Sequence, residues 1–195
     1  MIKLYLPQQT LLIVNGVPGS GKDSLLRGVY LDSVKICDGL LELCNLPCID
    51  VDKIKSRFTD FRRGEEYERF RKLSYDIADK IAREYLHFGN DVVINSTFST
   101  EVQNPAWVSR YKSMTEETQS RLKIVRCVAP EDVIRRRIEQ RDYARDKWKL
   151  ENWQQHREEE PIEVSMPTGS LVIDTSQNSQ KNLESVIDFL MNPRD

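Results

Sequence analysis

The chain has 195 residues, enough for one domain with a small appended lid. Hydrophobic residues make up 39% and charged residues 31%, as in a globular domain, and a net charge of −2 excludes a global polycation field for nucleic acid or membrane. No apolar run approaches the roughly 20 residues of a membrane span, and residues 1–7 lack the apolar core of a signal peptide, so the cytoplasm is the expected compartment.

In chain order, Thr10–Asn15 reads as a buried strand of a parallel sheet. Directly after it comes Gly16-Val17-Pro18-Gly19-Ser20-Gly21-Lys22-Asp23-Ser24, which fits G-x-x-x-x-G-K. Residues 21–31 are expected to form the first helix. Residues 32–47 give only a helical fragment around Gly39 to Leu43. Residues 48–51 read as a short strand, with Asp52 capping a helix over 52–58. A long helix over 64–88 has Tyr67, Phe70, Leu73, Ile77, Ile81 and Tyr85 at steps of three or four, the expected packing face. Residues 91–95, Arg121–Val128 and 170–174 are further strands. Ala129-Pro130-Glu131-Asp132 opens a helix, and Ser179 is the expected cap of a last helix carrying Leu183, Val186, Ile187 and Leu190. Five apolar strands alternating with helices predict an α/β protein with a parallel sheet and helices on both faces. Ligands then bind along the carboxyl ends of the strands, which gathers the first loop, Asp52, residues 95–97 and residues 174–176 on one rim.

The glycine loop is a phosphate cradle. Glycines let successive N–H groups converge on one point, and Lys22 reaches the outer phosphates as a point charge. The motif expects Ser or Thr after the lysine, whose hydroxyl ligates Mg²⁺; this chain has Asp23, then Ser24. A carboxylate there is a hard oxygen ligand that Mg²⁺ accepts, and without metal it would repel phosphate. Asn95 ends the third strand where loop-bearing kinases often keep an acid for Mg²⁺. Asp23 and Asn95 together suggest that the acid has moved from that strand into the loop, with Asp23, Ser24 and Asn95 as the metal side of the site.

Asp52 on the rim is a candidate base for an acceptor hydroxyl, or simply a helix cap, with Asp50 as its rival. Lys55 and Arg57 are candidates for an anionic acceptor or for solvated helix charges. On the helix after Pro130, Arg137, Arg141 and Arg145 continue the Ile134/Ile138 face at about 100° per residue, while Arg135 and Arg136 point away. Those three suit a transferring phosphoryl group, in a segment placed to act as a lid over about 137–165; the alternative is a solvated basic helix paired with Glu139, Asp142 and Asp146. Trp148, Trp153 and His156 are expected to pack that lid, and Glu158 to Glu160 to be solvated. Cys37, Cys44, Cys48 and Cys127 form no C-x-x-C, and with His87 and His156 follow no metal-finger spacing, so reduced thiols are expected.

With loop, post-strand Asp, third-strand end and arginine helix in this order, the chain resembles the P-loop kinases grouped with polynucleotide 5′-hydroxyl kinase and the zeta-toxin kinases. The resemblance rests on the G-x-P-G-S-G-K core, on Asp52-x-x-Lys55, on Arg137-x-x-x-Arg141 and on Val172-Ile173-Asp174-Thr175, and spans most of residues 10–190. The departures are Asp23 for Ser or Thr, Asn95 for the usual acid and Lys55 for Arg. The resemblance implies a three-layer α/β/α sandwich, strand order 2-3-1-4-5, in a single unit over 1–195. It implies ATP and Mg²⁺ as cofactors and phosphoryl transfer to a small molecule, or to a nucleic-acid 5′ end as the only nucleic-acid role. A phosphate acceptor, or a nucleotide-binding ATPase without transfer, is the alternative. It implies Gly16, Pro18, Gly19, Ser20, Gly21, Lys22, Asp23, Ser24, Arg145 and Thr175 around the nucleotide, the last bordering adenine. Lys22, Asp52, Arg137 and Arg141 would carry the chemistry.

Overall fold

The computed structural model describes residues 4–31, 34–37, 39–59, 64–143 and 146–192. Five strands form one all-parallel sheet: β1 (Thr10–Asn15), β4 (Cys48–Asp50), β5 (Val92–Ser96), β6 (Arg121–Val128) and β7 (Leu171–Asp174). Their order is β4-β5-β1-β6-β7, the 2-3-1-4-5 arrangement expected. β1 lies in the middle, paired in register with β5 (Ile13 beside Ile94) and β6 (Ile13 beside Ile124). All six of its residues are buried, because both faces of the sheet are covered.

Alternation along β1 splits the core in two. Leu11 and Ile13 face α4 (Glu65–His87) and α5 (Pro105–Glu117), where Ala78, Ala82, Tyr111 and Met114 pack. Leu12 and Val14 face α1 (Lys22–Arg27), α2 (Leu40–Leu43) and α9 (Ser179–Met191), where Leu26, Leu40, Leu183 and Val186 pack. A third cluster, Val17, Ala129, Ile134 and Ile138, seats α6 (Glu131–Arg141) beside the first loop. α3 (Val51–Lys55) follows β4, and α7 (Lys147–Glu151) and α8 (Trp153–Glu159) follow α6.

Several expectations are corrected. The first helix ends at Arg27, not at 31: Gly28 takes φ 92°, which a side chain resists, and Val29–Leu31 (β2) then pairs antiparallel with Val34–Cys37 (β3). The backbone of Gly39 presses on that of Arg27 and Gly28, so closely that a β-carbon would sit 2.4 Å from Gly28 N. Asp50, not Asp52, caps α3; its carboxylate accepts from Lys53 N at 3.2 Å. Asn178, not Ser179, caps α9, accepting from Gln180 N and Lys181 N. α6 stops at Arg141, with Asp142 left-handed at φ 45°, so the charged segment is not one continuous helix.

The face of α4 is also not the one expected. Ser74, Ala78, Ala82 and Leu86 are buried, while Leu73, Ile81 and Tyr85 are exposed. Small side chains let the helix axis come close to the sheet, and that contact wins over the bulkier stripe. α5 has no counterpart in the sequence reading. Asn104 caps it, accepting from Ala106 N at 2.9 Å, and Pro105 takes its first position.

Candidate active site

The glycine loop joins β1 to α1 and is fixed by what surrounds it. A β-carbon on Gly16, at φ 146°, would lie 2.4 Å from the Cys127 carbonyl oxygen. One on Gly21, at φ 87°, would lie 2.6 Å from Thr175 Oγ1. These two positions require glycine because β6 and the turn after β7 crowd the loop. Ser20 N donates to Val17 O at 3.0 Å, which closes the curl. Lys22 Nζ donates to Gly16 O at 2.5 Å and Val17 O at 3.3 Å, so the ammonium lies in the mouth of the loop. Burial lowers its pKa, opposed mainly by Asp52.

Arg137 and Thr175 lock the loop from the other side. The Arg137 guanidinium donates to Gly19 O at 3.2 Å, Thr175 Oγ1 at 2.9 Å and Thr175 O at 2.8 Å. Thr175 Oγ1 donates to Ser20 O at 2.7 Å. The arginine thus ties α6, the loop and the end of β7 together while bordering the cleft. Arg135 and Arg136 point outward to Glu139 and Asp132.

One cleft of about 710 Å³ holds most of the expected residues. Pro18, Gly19, Gly21 and Lys22 form its floor, with Asp23 and Ser24 at the start of α1. Asp52, Lys55 and Tyr67 line one wall; Arg137, Arg141, Trp148, Lys149, His156 and Glu160 line the other. Gly16, Ser20 and Thr175 shape the loop from behind. Arg145 and the side chain of Cys37 lie outside the described residues. Arg57 is exposed and does not line the cleft. A smaller cavity of about 450 Å³, lined by Val128, Pro130, Ile162 and Met166 among others, contains neither Lys22 nor Asp52.

Asp52 stands in the first turn of α3. Lys55 Nζ donates to its Oδ1 at 3.0 Å and to Tyr67 OH at 3.2 Å. Burial would raise the Asp52 pKa, but Lys55 and then Lys22 and Lys149 outweigh it and bring it down to about 2. Burial likewise opposes the Lys55 charge, but Asp52 and Tyr67 raise its pKa. Opposite, the Asp146 carboxylate, 1% exposed, is held by Arg141 Nε at 2.6 Å and Lys149 Nζ at 3.1 Å. Asp146 fixes Arg141 and Lys149 in the wall, more than the charge partner on a solvated helix that the sequence made of it.

Asp50 was also undervalued. It pairs in register with Asn95 on the neighbouring strand, and both line the cleft. Arg27 reaches Asp50 at 3.7 Å and Asp23 at 3.8 Å, linking the two carboxylates. Burial raises the Asp50 pKa. Asn95 is buried, and its Oδ1 has no hydrogen-bond partner among the described residues. That orphan acceptor, in register with Asp50, is a hard oxygen of the kind Mg²⁺ accepts. His156 is buried against Trp153, their rings 5.9 Å apart, in keeping with a packing role. Cys44 and Cys127 are buried free thiols and Cys48 is a half-buried one.

A strand-loop-helix cradle with its lysine, on a 2-3-1-4-5 sheet, is the core of a P-loop domain. The AAA domain family (AAA_33) matches residues 11–160. The chain belongs to that family. A search of curated protein sequences gives no match. Among solved structures, it is similar to a candidate kinase from Chloroflexus aurantiacus, with TM-score 0.67, 21% identity, and coverage of 93% of this chain and 98% of that one. A sugar kinase from Janibacter gives TM-score 0.63, 16% identity, and coverage of 96% and 97%. The Mycobacterium tuberculosis APS kinase in complex with AMPPNP and APS gives TM-score 0.57, 14% identity, and coverage of 95% and 99%. The fold of this AAA_33 chain is that of the P-loop kinases. No helix among its described residues is long and apolar enough to cross a membrane.

Proposed function

We propose that the protein transfers the γ-phosphoryl group of ATP to the hydroxyl of a small acceptor bound between α3 and the α6–α8 lid. The observation that carries this reading is the shared cleft. Lys22 of the phosphate loop and Asp52 of α3 face the same space, and each perturbs the other's charge.

In this reading the loop amides and Lys22 hold the β- and γ-phosphates. The acceptor hydroxyl donates a hydrogen bond to Asp52, which orients its oxygen for in-line attack. The new P–O bond forms as the bond to the ADP oxygen breaks, and the hydroxyl proton passes to the Asp52 carboxylate. In a loose transition state that proton leaves late, so a weak base suffices. Lys55 keeps Asp52 ionised and in place. Arg141 and Lys149, held by Asp146, stabilise charge on the transferring group. Arg137 positions the loop and borders the nucleotide. Asp23, Ser24 and Asn95, with Asp50 alongside, would hold Mg²⁺, which neutralises phosphate charge when bound.

Support for a kinase comes from the relatives, which include a sugar kinase and an APS kinase on the same fold. The polynucleotide-kinase grouping makes a 5′-hydroxyl end one arm of the test. The experiment is a radiolabelled ATP transfer screen across sugars, nucleosides, nucleotides and 5′-hydroxyl oligonucleotides. Label should appear on one hydroxyl class and vanish with Lys22→Ala. Release of inorganic phosphate alone, with every acceptor, would favour an ATPase; transfer to a phosphate group would favour a nucleotide-kinase reaction.

A further inference from the structure

The cationic groups lining the cleft divide into two sets, and the division bears on which acceptor fits. On the α3 wall, Lys55 Nζ lies 3.0 Å from Asp52, and exposed Lys53 acts on the charge of Asp50. On the other wall, Arg141 Nε lies 2.6 Å and Lys149 Nζ 3.1 Å from opposite oxygens of Asp146. Asp146 has one charge for two cations, and Glu160 supplies the second. Burial lowers the Lys149 pKa, against the pull first of Glu160 and then of Asp146. Arg27 is shared between Asp50 and Asp23. Lys22 and Arg137 differ: they hydrogen-bond carbonyl and hydroxyl oxygens, and both stand at the phosphate loop. Among the described residues, positive charge without a carboxylate beside it is therefore placed for the nucleotide, while the acceptor walls are balanced.

An acceptor carrying its own phosphate, sulfate or carboxylate would have to draw a cation away from one of these carboxylates. The carboxylate would be left without its partner, at greatest cost for Asp146, which is 1% exposed. An uncharged acceptor makes no such demand. The same walls also offer hydrogen-bonding groups that still need partners. Glu160 Oε2 is buried, with no hydrogen-bond partner among the described residues. Tyr67 OH accepts from Lys55 at 3.2 Å, which leaves its own proton to donate. Asp52 takes Lys55 on Oδ1 and keeps lone pairs on Oδ2. A hydroxyl donates to a carboxylate and accepts from a neighbouring Tyr or Lys, and several hydroxyls on one frame satisfy several such groups together. An ammonium would also satisfy Glu160, but Lys149 beside it repels one.

We infer that the acceptor is an uncharged polyol held between Asp52 on one wall and Glu160 on the other, and that Glu160 turns away its charged analogues. This deepens the kinase reading above and rests on it. The reacting hydroxyl donates to Asp52, and a second hydroxyl of the same molecule donates to Glu160 Oε2. Glu160 also keeps Lys149 occupied, so that no acceptor anion can claim it. Specificity here comes from a repulsive element as much as from an attractive one.

Transfer of label from ATP to matched pairs of acceptors tests this: a sugar beside its sugar acid and sugar phosphate, a sugar alcohol beside its phosphate, a nucleoside beside its monophosphate. In the preferred pair, wild type takes the neutral member with a kcat/KM about tenfold or more above that of the charged one. Glu160→Gln keeps the shape, removes the charge and releases Lys149. It should raise KM for the polyol and move the charged-to-neutral ratio of kcat/KM toward the charged member by about tenfold. A purely structural role would lower both members alike and leave the ratio where it was, which would overturn the part given to Glu160. If Glu160→Gln does not fold, Glu160→Asp keeps the charge on a shorter arm. It should raise KM yet keep the preference for neutral acceptors, and loss of that preference would count against the proposal. The wild-type ratio needs no variant. Label on the charged members, or on 5′-hydroxyl oligonucleotides alone, overturns the inference and leaves the kinase reading standing. Phosphate release with label on no acceptor removes both.

Discussion

A carboxylate whose pKa is held at about 2, as that of Asp52 is by Lys55, Lys22 and Lys149, stays charged at every pH at which the protein would work. In the proposed reaction its use would be to orient a hydroxyl and take a proton late, rather than to pull one early. Asp52→Asn should reduce transfer to a hydroxyl by roughly two orders of magnitude or more while the ATP dissociation constant barely changes. Because the pKa is depressed, protonation enters only as pH falls toward it. The rate should therefore show no acid limb from Asp52 between about pH 5 and 8. A wild-type limb near pH 6 that disappears in Asp52→Asn would contradict this assignment. Gly21 tests the loop. Its φ of 87° and the 2.6 Å approach to Thr175 Oγ1 leave no room for a methyl group. Gly21→Ala should lower stability by about 1–3 kcal/mol in urea unfolding and weaken ATP binding by calorimetry. An unchanged ATP affinity would mean that the loop tolerates a shift.

At the scale of elements, the strands of the five-stranded sheet and the packing faces of α6 and α9 were legible, while β2, β3 and the face of α4 were not. A strand buried on both sides of a parallel sheet is a run of apolar residues, and Leu11–Val14 and Val92–Ile94 announce themselves that way. The phosphate loop was legible because lysine after spaced glycines serves few other purposes. The caps slipped by one or two residues, since Asp50 and Asp52 offer the same chemistry two positions apart. α1 was read past Gly28, although glycine is a common stop signal. α5 was missed despite Asn104-Pro105, because its apolar positions are sparse. α4 misled because size was taken for burial, whereas Ala78 and Ala82 sit on the sheet. Two substitutions separate those faces. Ala78→Leu should destabilise by about 1–3 kcal/mol through overpacking. Leu73→Ala, measured in dilute solution, should stay within about 0.5 kcal/mol. Equal effects would put both faces in the core.

At the scale of the molecule, the sheet sets a rim and α6–α8 line one wall of the cleft on it, with Asp146 as the pin. Burial opposes its charge, but Lys149 and Arg141 prevail and depress its pKa. The stability it contributes is therefore complete above about pH 4 and is lost as pH falls below that, when the unfolded chain binds the proton first. Asp146→Asn should cost about 1–3 kcal/mol at pH 7 and flatten the acid side of the stability curve, read by chemical unfolding at several pH values. The pressed backbones of Gly28 and Gly39 bear on a different question, the chain's tolerance of insertion. The polypeptide leaves α1 at one and comes back to the same spot at the other, so the stretch between them begins and ends together. Closure entropy changes slowly with loop length, and that stretch could be shortened, lengthened or exchanged for a reporter with little effect on the layers beneath. Protein grafted there should keep its melting temperature and its ATP affinity. A large loss of either would show that residues 29–38 are part of the fold's foundation and not an appendage to it.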